Sequence, residues 1–174
     1  MRIRISFPVL LMSLSASAAL AGEQYVNSSG YAVSGYDVVS YFDLKQVPVG
    51  AQQPHAAKGD AKYVAEYNGA KWAFSSMDHL AAFEADPQKY VPQYDGHCAM
   101  GVASGGKYPG NPDLWRVVGG KLYLNVSKAA ASAWNRDISG NLMKSESNWP
   151  GLEKYPASEI EIPEFNVSRA PLGQ

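Results

Sequence analysis

Cysteine is almost missing from this chain. Cys98 is the single one among 174 residues, so no disulfide can form within the molecule. Beyond the first twenty residues no apolar run approaches the ~20 residues that a membrane-crossing helix needs. Positive charge is not in excess, with 15 Lys and Arg against 16 Asp and Glu. The lysines are scattered and leave no electrostatic footprint for nucleic acid. No G-x-S-x-G elbow is present. Gly101 to Lys107 fits G-x-x-x-x-G-K, but Tyr108 stands where a nucleotide-binding loop needs Ser or Thr to hold magnesium. No apolar strand leads into that stretch, which reads as a glycine-rich connector. A thiol hydrolase would need a base within reach of Cys98; the adjacent His97 is poorly placed for that, though His79 could serve, which makes a thiol enzyme the third reading. No catalytic residue is assigned.

What is present begins with a leader. Met1-Arg2-Ile3-Arg4 is a short basic start, and an apolar, serine-broken stretch follows from Ile5 to Leu20. It ends in Ala19-Leu20-Ala21, a small-x-small pattern. These are the three regions of a secretory signal peptide, residues 1–21, cut after Ala21, with Ala18 as the alternative site. The stretch is too short and too serine-rich for an anchor. Cleavage removes Arg2 and Arg4 and takes the formal charge from −1 to −3. The expected location is the periplasm or the outside of the cell, with no membrane association after cleavage. A lone cysteine in an oxidising compartment is then a feature to explain.

Residues 22–34 are polar and small, and read as a flexible, extended arm. The main domain is expected over 35–150, and 151–174 as a tail containing Pro156, Pro163 and Pro171. Tyr36 to Phe42 suggests one or two turns of helix starting near Asp37. Leu44 to Asp60 is a loop. Tyr63 to Tyr67 alternates as a strand, Asn68-Gly69 is a hairpin turn, and Lys71 to Phe74 returns. Ser76 caps a helix over Met77–Ala85, which Asp86-Pro87 ends. The same grammar recurs in Trp115–Val118, Gly119-Gly120, Lys121–Leu124, and a helix from Lys128 to about Asp137 capped by Ser127. Matching Gly69 with Gly119, Lys71 with Lys121, Phe74 with Leu124, Ser76 with Ser127, Phe83 with Trp134 and Asp86 with Asp137 makes the offset grow by one before the cap. Asn148-Trp149-Pro150-Gly151 reads as a turn. The fold expected is α+β, two β-hairpin-plus-helix units in one compact domain.

Between the units lies Tyr94-Asp95-Gly96-His97-Cys98-Ala99-Met100-Gly101. Imidazole, thiol and thioether within four residues suit Cu(I), and the first two also suit Zn(II). A packed, inert Cys98 with Met100 as core filler is the competing reading. In a turn His97 and Cys98 can converge; in an extended segment Met100 shares the cysteine's face and His79 must complete the site. His79 lies on the flank of its helix, and Ala130 occupies the same place in the second unit. The helix therefore needs no imidazole there to fold. His55, in the long loop, is expected to be exposed.

Tyr67-x-Gly69-x-x-Trp72-x-Phe74-Ser75-x-x-x-His79-x-x-x-Phe83-x-x-Asp86-Pro87-x-x-Tyr90, with Gly35 to Phe42 before it, resembles the YHS domain. Pro92-Gln93-Tyr94-x-Gly96-x-Cys98-Ala99 resembles the extended, exported branch of that family. The resemblance covers roughly residues 35 to 150. YHS domains occur in heavy-metal transport ATPases and mercury-handling proteins, which implies metal binding. Those domains carry cysteines just before the first segment and after the aromatic strand. Here Tyr36-Asp37 and Ser75 stand in those places. The function expected is an exported, non-catalytic module that binds a soft metal ion, copper first and zinc second, for buffering or delivery. Cys98, His97, His79 and Met100 are its candidate ligands. The alternative is a metal-free structural domain, or one that binds a protein or small ligand.

Overall fold

Both hairpins turn on two consecutive left-handed residues, Asn68-Gly69 (φ 49° and 71°) and Gly119-Gly120 (φ 57° and 75°). Two positive φ values match the right-handed twist of the strands they join, which is why Asn-Gly and Gly-Gly serve there. In the computed structural model, which describes residues 22–166 and 171–172, the elements are α1 Ser40–Asp43, β1 Asp60–Tyr67, β2 Ala70–Phe74, α2 Met77–Ala85 and α3 Pro87–Tyr90. They continue with α4 Ala99–Ala103, β3 Asn111–Val118, β4 Lys121–Asn125, α5 Lys128–Arg136 and α6 Ile138–Leu152. β1 pairs with β2 and β3 with β4, each as an antiparallel two-stranded sheet. The fold is α+β, as the hairpin and helix patterns predict. The expected leader lies outside the described residues.

The two units share one register. β1 and β2 pair Val64 with Ala73, Ala65 with Trp72, Glu66 with Lys71 and Tyr67 with Ala70. Moved on by 51 positions, these become the pairs Trp115–Leu124, Arg116–Tyr123, Val117–Leu122 and Val118–Lys121 of the second hairpin. Each hairpin has its irregularity at the same place, after Asp60 and after Asn111. The offset is therefore constant. Gly69 corresponds to Gly120 and Phe74 to Asn125, where matching lysine to lysine pairs them one residue short. A slip of one residue would send every side chain to the opposite face.

That register explains the core. Trp72 and Phe83 stack at 5.4 Å and 33°, and their counterparts Tyr123 and Trp134 at 5.3 Å and 35°. The helix of each unit thus seats one buried aromatic on the same position of its hairpin. β4 also works on its other face. Leu122 and Leu124 join the core around Trp72, Phe74 and Phe83, while Tyr123 belongs to a second core with Tyr94, Val102 and Trp134. Alternation along the strand divides these residues between two layers. Ser76 and Ser127 accept from the backbone N–H groups of His79 and Ala130, at 3.2 Å each. Replacing either serine by alanine is expected to lower stability by about 1 kcal/mol, read from urea unfolding. An unchanged midpoint in either variant would show that the hydroxyl contributes nothing.

The repeated unit is longer than a hairpin and a helix. Val33-Ser34-Gly35 (φ 50°, 54°, 79°) and Tyr94-Asp95-Gly96 (φ 60°, 51°, 75°) form matching left-handed corners. Extended Tyr36 and His97 follow, bridged to Lys58 and Pro109. Asp37 and Cys98 come next, with their N–H groups on Ala57 O and Tyr108 O at 3.0 and 2.9 Å. Each opens a short helix. The first begins at Ser40 rather than near Asp37, because a turn comes before it: Asp37 Oδ1 accepts from Val39 N at 2.9 Å and Asp37 O from Ser40 N at 3.2 Å.

Two other expectations change. Residues 22–34 do not form a flexible arm. Tyr25, Ala32 and Val33 are buried, Val26 bridges Ala32, and Ala32 N donates to Lys71 O at 2.8 Å. Asn148 to Gly151 is no turn but the end of α6, which carries Pro150 in its last turn. Leu142, Trp149 and Leu152 pack on the second core, and Asn148 Nδ2 donates to Val102 O and Ala103 O at 3.0 and 3.2 Å. This tertiary packing outweighs the loss of one helix hydrogen bond at the proline. The tail, expected either to wrap the domain or to fray, wraps it as far as buried Ile162.

Candidate functional site

The segment richest in metal-ligating side chains turns inward. Cys98 is the N-cap of α4, and its Sγ accepts from Gly101 N at 3.3 Å. The thiol in turn donates to Asn125 Oδ1 at 3.6 Å, an oxygen that also accepts from Met100 N at 3.1 Å. Cys98 is fully buried, and burial pushes its thiol pKa up. A protonated, buried thiol that donates a hydrogen bond is neither a nucleophile nor a ready ligand. Met100 lies on α4, partly buried against the second core.

His97 is also fully buried, at 0% exposure. Its Nδ1–H donates to Tyr94 O at 2.9 Å, and Nε2 accepts from Ser158 N at 3.1 Å. Those partners settle the tautomer and use both nitrogens, so His97 clasps the tail to the left-handed corner. Burial, the dominant cause, lowers its pKa to about 4. The unfolded chain takes up this proton near pH 6.5 and the folded protein only near 4, so stability falls as pH drops through that window. Neighbouring Asp95 acts oppositely, since burial raises it to about 6. The comparison that isolates His97 is therefore with His97→Gln, which can keep both hydrogen bonds. From pH 7 to 4 the wild-type protein is expected to lose about 3 kcal/mol relative to that variant. A constant difference in unfolding free energy across the range would refute it.

A different cluster reaches the surface. Asp37, fully buried, directs Oδ2 at three groups: Ser75 N at 2.8 Å, Ser75 Oγ at 2.6 Å and His79 Nδ1 at 2.6 Å. The other ring nitrogen, Nε2, lies 3.4 Å from Asp43 Oδ2. The His79 side chain is 25% exposed and that of Asp43 is 68% exposed. The elements that converge are the left-handed corner with α1, the end of β2 and the first turn of α2. His79 accordingly stands with Asp37, Ser75 and Asp43, while Cys98, His97 and Met100 are engaged around α4. Nothing in the sequence spacing draws attention to Asp43. Asp37 and Ser75 meet here beside His79.

The second unit shows what this cluster replaces. At the constant offset Ser75 and His79 correspond to Val126 and Ala130, and by its corner Asp37 corresponds to Cys98. One unit thus has a carboxylate, hydroxyl and imidazole where the other has a thiol, an isopropyl group and a methyl. His55, exposed as expected, holds Asp113 Oδ1 at 2.7 Å. Among the described residues no three His, Cys, Asp or Glu side chains stand together as a metal-holding group, and no described helix is long and apolar enough to cross a membrane. Comparison with protein-family models, curated proteins and solved structures finds no match to this chain.

Proposed function

We propose that this protein is an exported, non-catalytic binding module whose working edge is His79 with Asp43, and that its ligand is a divalent cation, zinc(II) or copper(II). The observation that carries this reading is the 2.6 Å contact between His79 Nδ1 and buried Asp37. A carboxylate behind an imidazole fixes the tautomer and aims the outer nitrogen outward; ligating histidines commonly have such a partner. His79 Nε2 and an Asp43 oxygen then present two ligands at the surface, with the remaining coordination positions open to water or a second molecule. Nitrogen and oxygen donors favour zinc(II) and copper(II) over copper(I). The soft-metal reading built on Cys98 has less support, because that thiol serves as a helix cap. The YHS resemblance adds to the proposal through the meeting of Asp37, Ser75 and His79. An open, two-ligand site fits transient buffering or hand-over better than permanent storage.

The test is a calorimetric titration of the mature protein with zinc(II) and copper(II), beside His79→Ala and Cys98→Ala. The alanine at 79 copies Ala130 and should leave the fold intact. Wild type and Cys98→Ala are expected to bind equally, and His79→Ala at least about tenfold more weakly. Loss of binding in Cys98→Ala alone would return the site to the thiol. No binding by the wild type would leave a metal-free module for a protein or small ligand as the better account.

A further inference from the structure

We infer that the amino group released by cleavage after Ala21 is the counter-ion of Asp95, so that maturation of the chain completes an ion pair absent from the precursor. The inference rests on the signal-peptide reading and adds a role for the residue that becomes the first of the mature chain.

Asp95 sits at the crest of a left-handed corner with φ 51°. Its Oδ2 is buried and has no hydrogen-bond partner among the described residues. An orphaned carboxylate oxygen is costly and calls for a donor, best a charged one. The charged groups that act on it are Glu153 and Lys107. Glu153 repels it. Lys107 Nζ, the nearby cation, donates instead to Tyr155 O at 2.8 Å.

Gly22 is pressed against this oxygen. A Cβ built on Gly22 would collide with Asp95 Oδ2 and lie 2.8 Å from Glu153 O. Only glycine can come so close, which gives a physical reason for glycine as the first mature residue. The approach is held from several sides. Gly22 O accepts from Asn68 Nδ2 at 3.2 Å, Tyr25 N donates to Asp95 O at 2.8 Å, and Glu23 Oε2 accepts from Ala157 N at 3.0 Å. The Gly22 nitrogen and the position of a Cβ are neighbouring substituents on one α-carbon, so that nitrogen lies within about 5 Å of Oδ2. Turning about the Gly22 Cα–C bond carries the nitrogen towards the position a Cβ would hold, through salt-bridge distance. A nitrogen still bonded to Ala21 has one N–H and no charge. Once the Ala21–Gly22 peptide is hydrolysed, the nitrogen gains protons and becomes an ammonium free to make that turn. A shallow cavity bordered by Gly22, Glu23, Glu153 and Tyr155 leaves room for it.

The experiment compares two forms of the protein. One is freed from a removable carrier so that Gly22 is its first residue; the other keeps Ala21 before it. With 13C-labelled glycine, the Gly22 α-carbon signal reports titration of the amino group. An unperturbed α-amino group has a pKa near 8. The Gly22 form is expected to titrate about tenfold more tightly, near 9, and Asp95→Asn should return it to about 8. The Gly22 form should also melt at a higher temperature than the Ala21 form at pH 7, and Asp95→Asn should abolish that difference. An amino pKa near 8 that Asp95→Asn leaves unchanged, or equal melting of the two forms, would overturn the ion pair. The mass of the exported protein checks the premise separately: a first residue other than Gly22 overturns the maturation step, whatever the purified forms do.

Discussion

Alanine at position 37 is expected to cost about 3–5 kcal/mol, the range found when one partner of a buried charged network is removed. The Asp37 carboxylate accepts from Val39 N and Ser40 N through Oδ1, and from Ser75 N, Ser75 Oγ and His79 Nδ1 through Oδ2. The residue is wholly enclosed, so water cannot take over these donors when the carboxylate is gone. Each orphaned buried donor costs on the order of 1–3 kcal/mol. The loss is also not local. One side chain ties the start of α1 to the end of β2 and to α2, and those three elements surround Phe74 and Phe83. Asp37→Asn should be milder than alanine, since its amide oxygen still accepts from Val39 N and its NH2 group can donate to Ser75 Oγ, although Ser75 N then loses its acceptor. Chemical unfolding of both variants measures this. A loss below about 1 kcal/mol for Asp37→Ala would mean that the corner does not depend on its carboxylate.

Truncating either stacked aromatic should be as damaging. Phe83→Ala and Trp134→Ala are each expected to lose about 3–5 kcal/mol, from lost apolar burial and from the cavity left behind. Total stabilities of small domains are about 5–15 kcal/mol, so either change takes a large share. The two residues hold the same place in their units but belong to different cores. Milder variants, Phe83→Leu and Trp134→Phe, should therefore add within about 0.5 kcal/mol when combined. Strong coupling between them, measured in a double-mutant cycle, would show that the two cores act as one.

The parts legible in the sequence are those that adjacent residues decide. Asn68-Gly69 and Gly119-Gly120 supply positive φ, so the hairpin positions follow from them. Ser76 and Ser127 can only cap the helices that begin beside them. Phe83 and Trp134 were identifiable as counterparts because helical spacing from the cap fixes which face they occupy. The strand alignment was less secure. Lys71 and Lys121 look alike yet do not correspond, since a lysine suits the exposed position of either strand and carries no information about register. Helix α6 was hidden by Pro150-Gly151, whose turn preference is local, while the core that holds its last turns comes from α4 and from Tyr94.

The candidate site divides the same way. Residue type and spacing determined that Cys98, His97 and Met100 lie close along the chain, and that His79 was dispensable for its helix. They could not determine where those side chains point. Direction was decided by the left-handed corner at Tyr94-Asp95-Gly96, which carries His97 towards Ser158 of the tail and makes Cys98 a helix cap. The meeting of Asp37, Ser75, His79 and Asp43 joins positions up to 42 residues apart. It depends on packing α1 and α2 against one hairpin end, and a contact of that kind leaves no trace in local propensity because each partner's neighbours in sequence are indifferent to it.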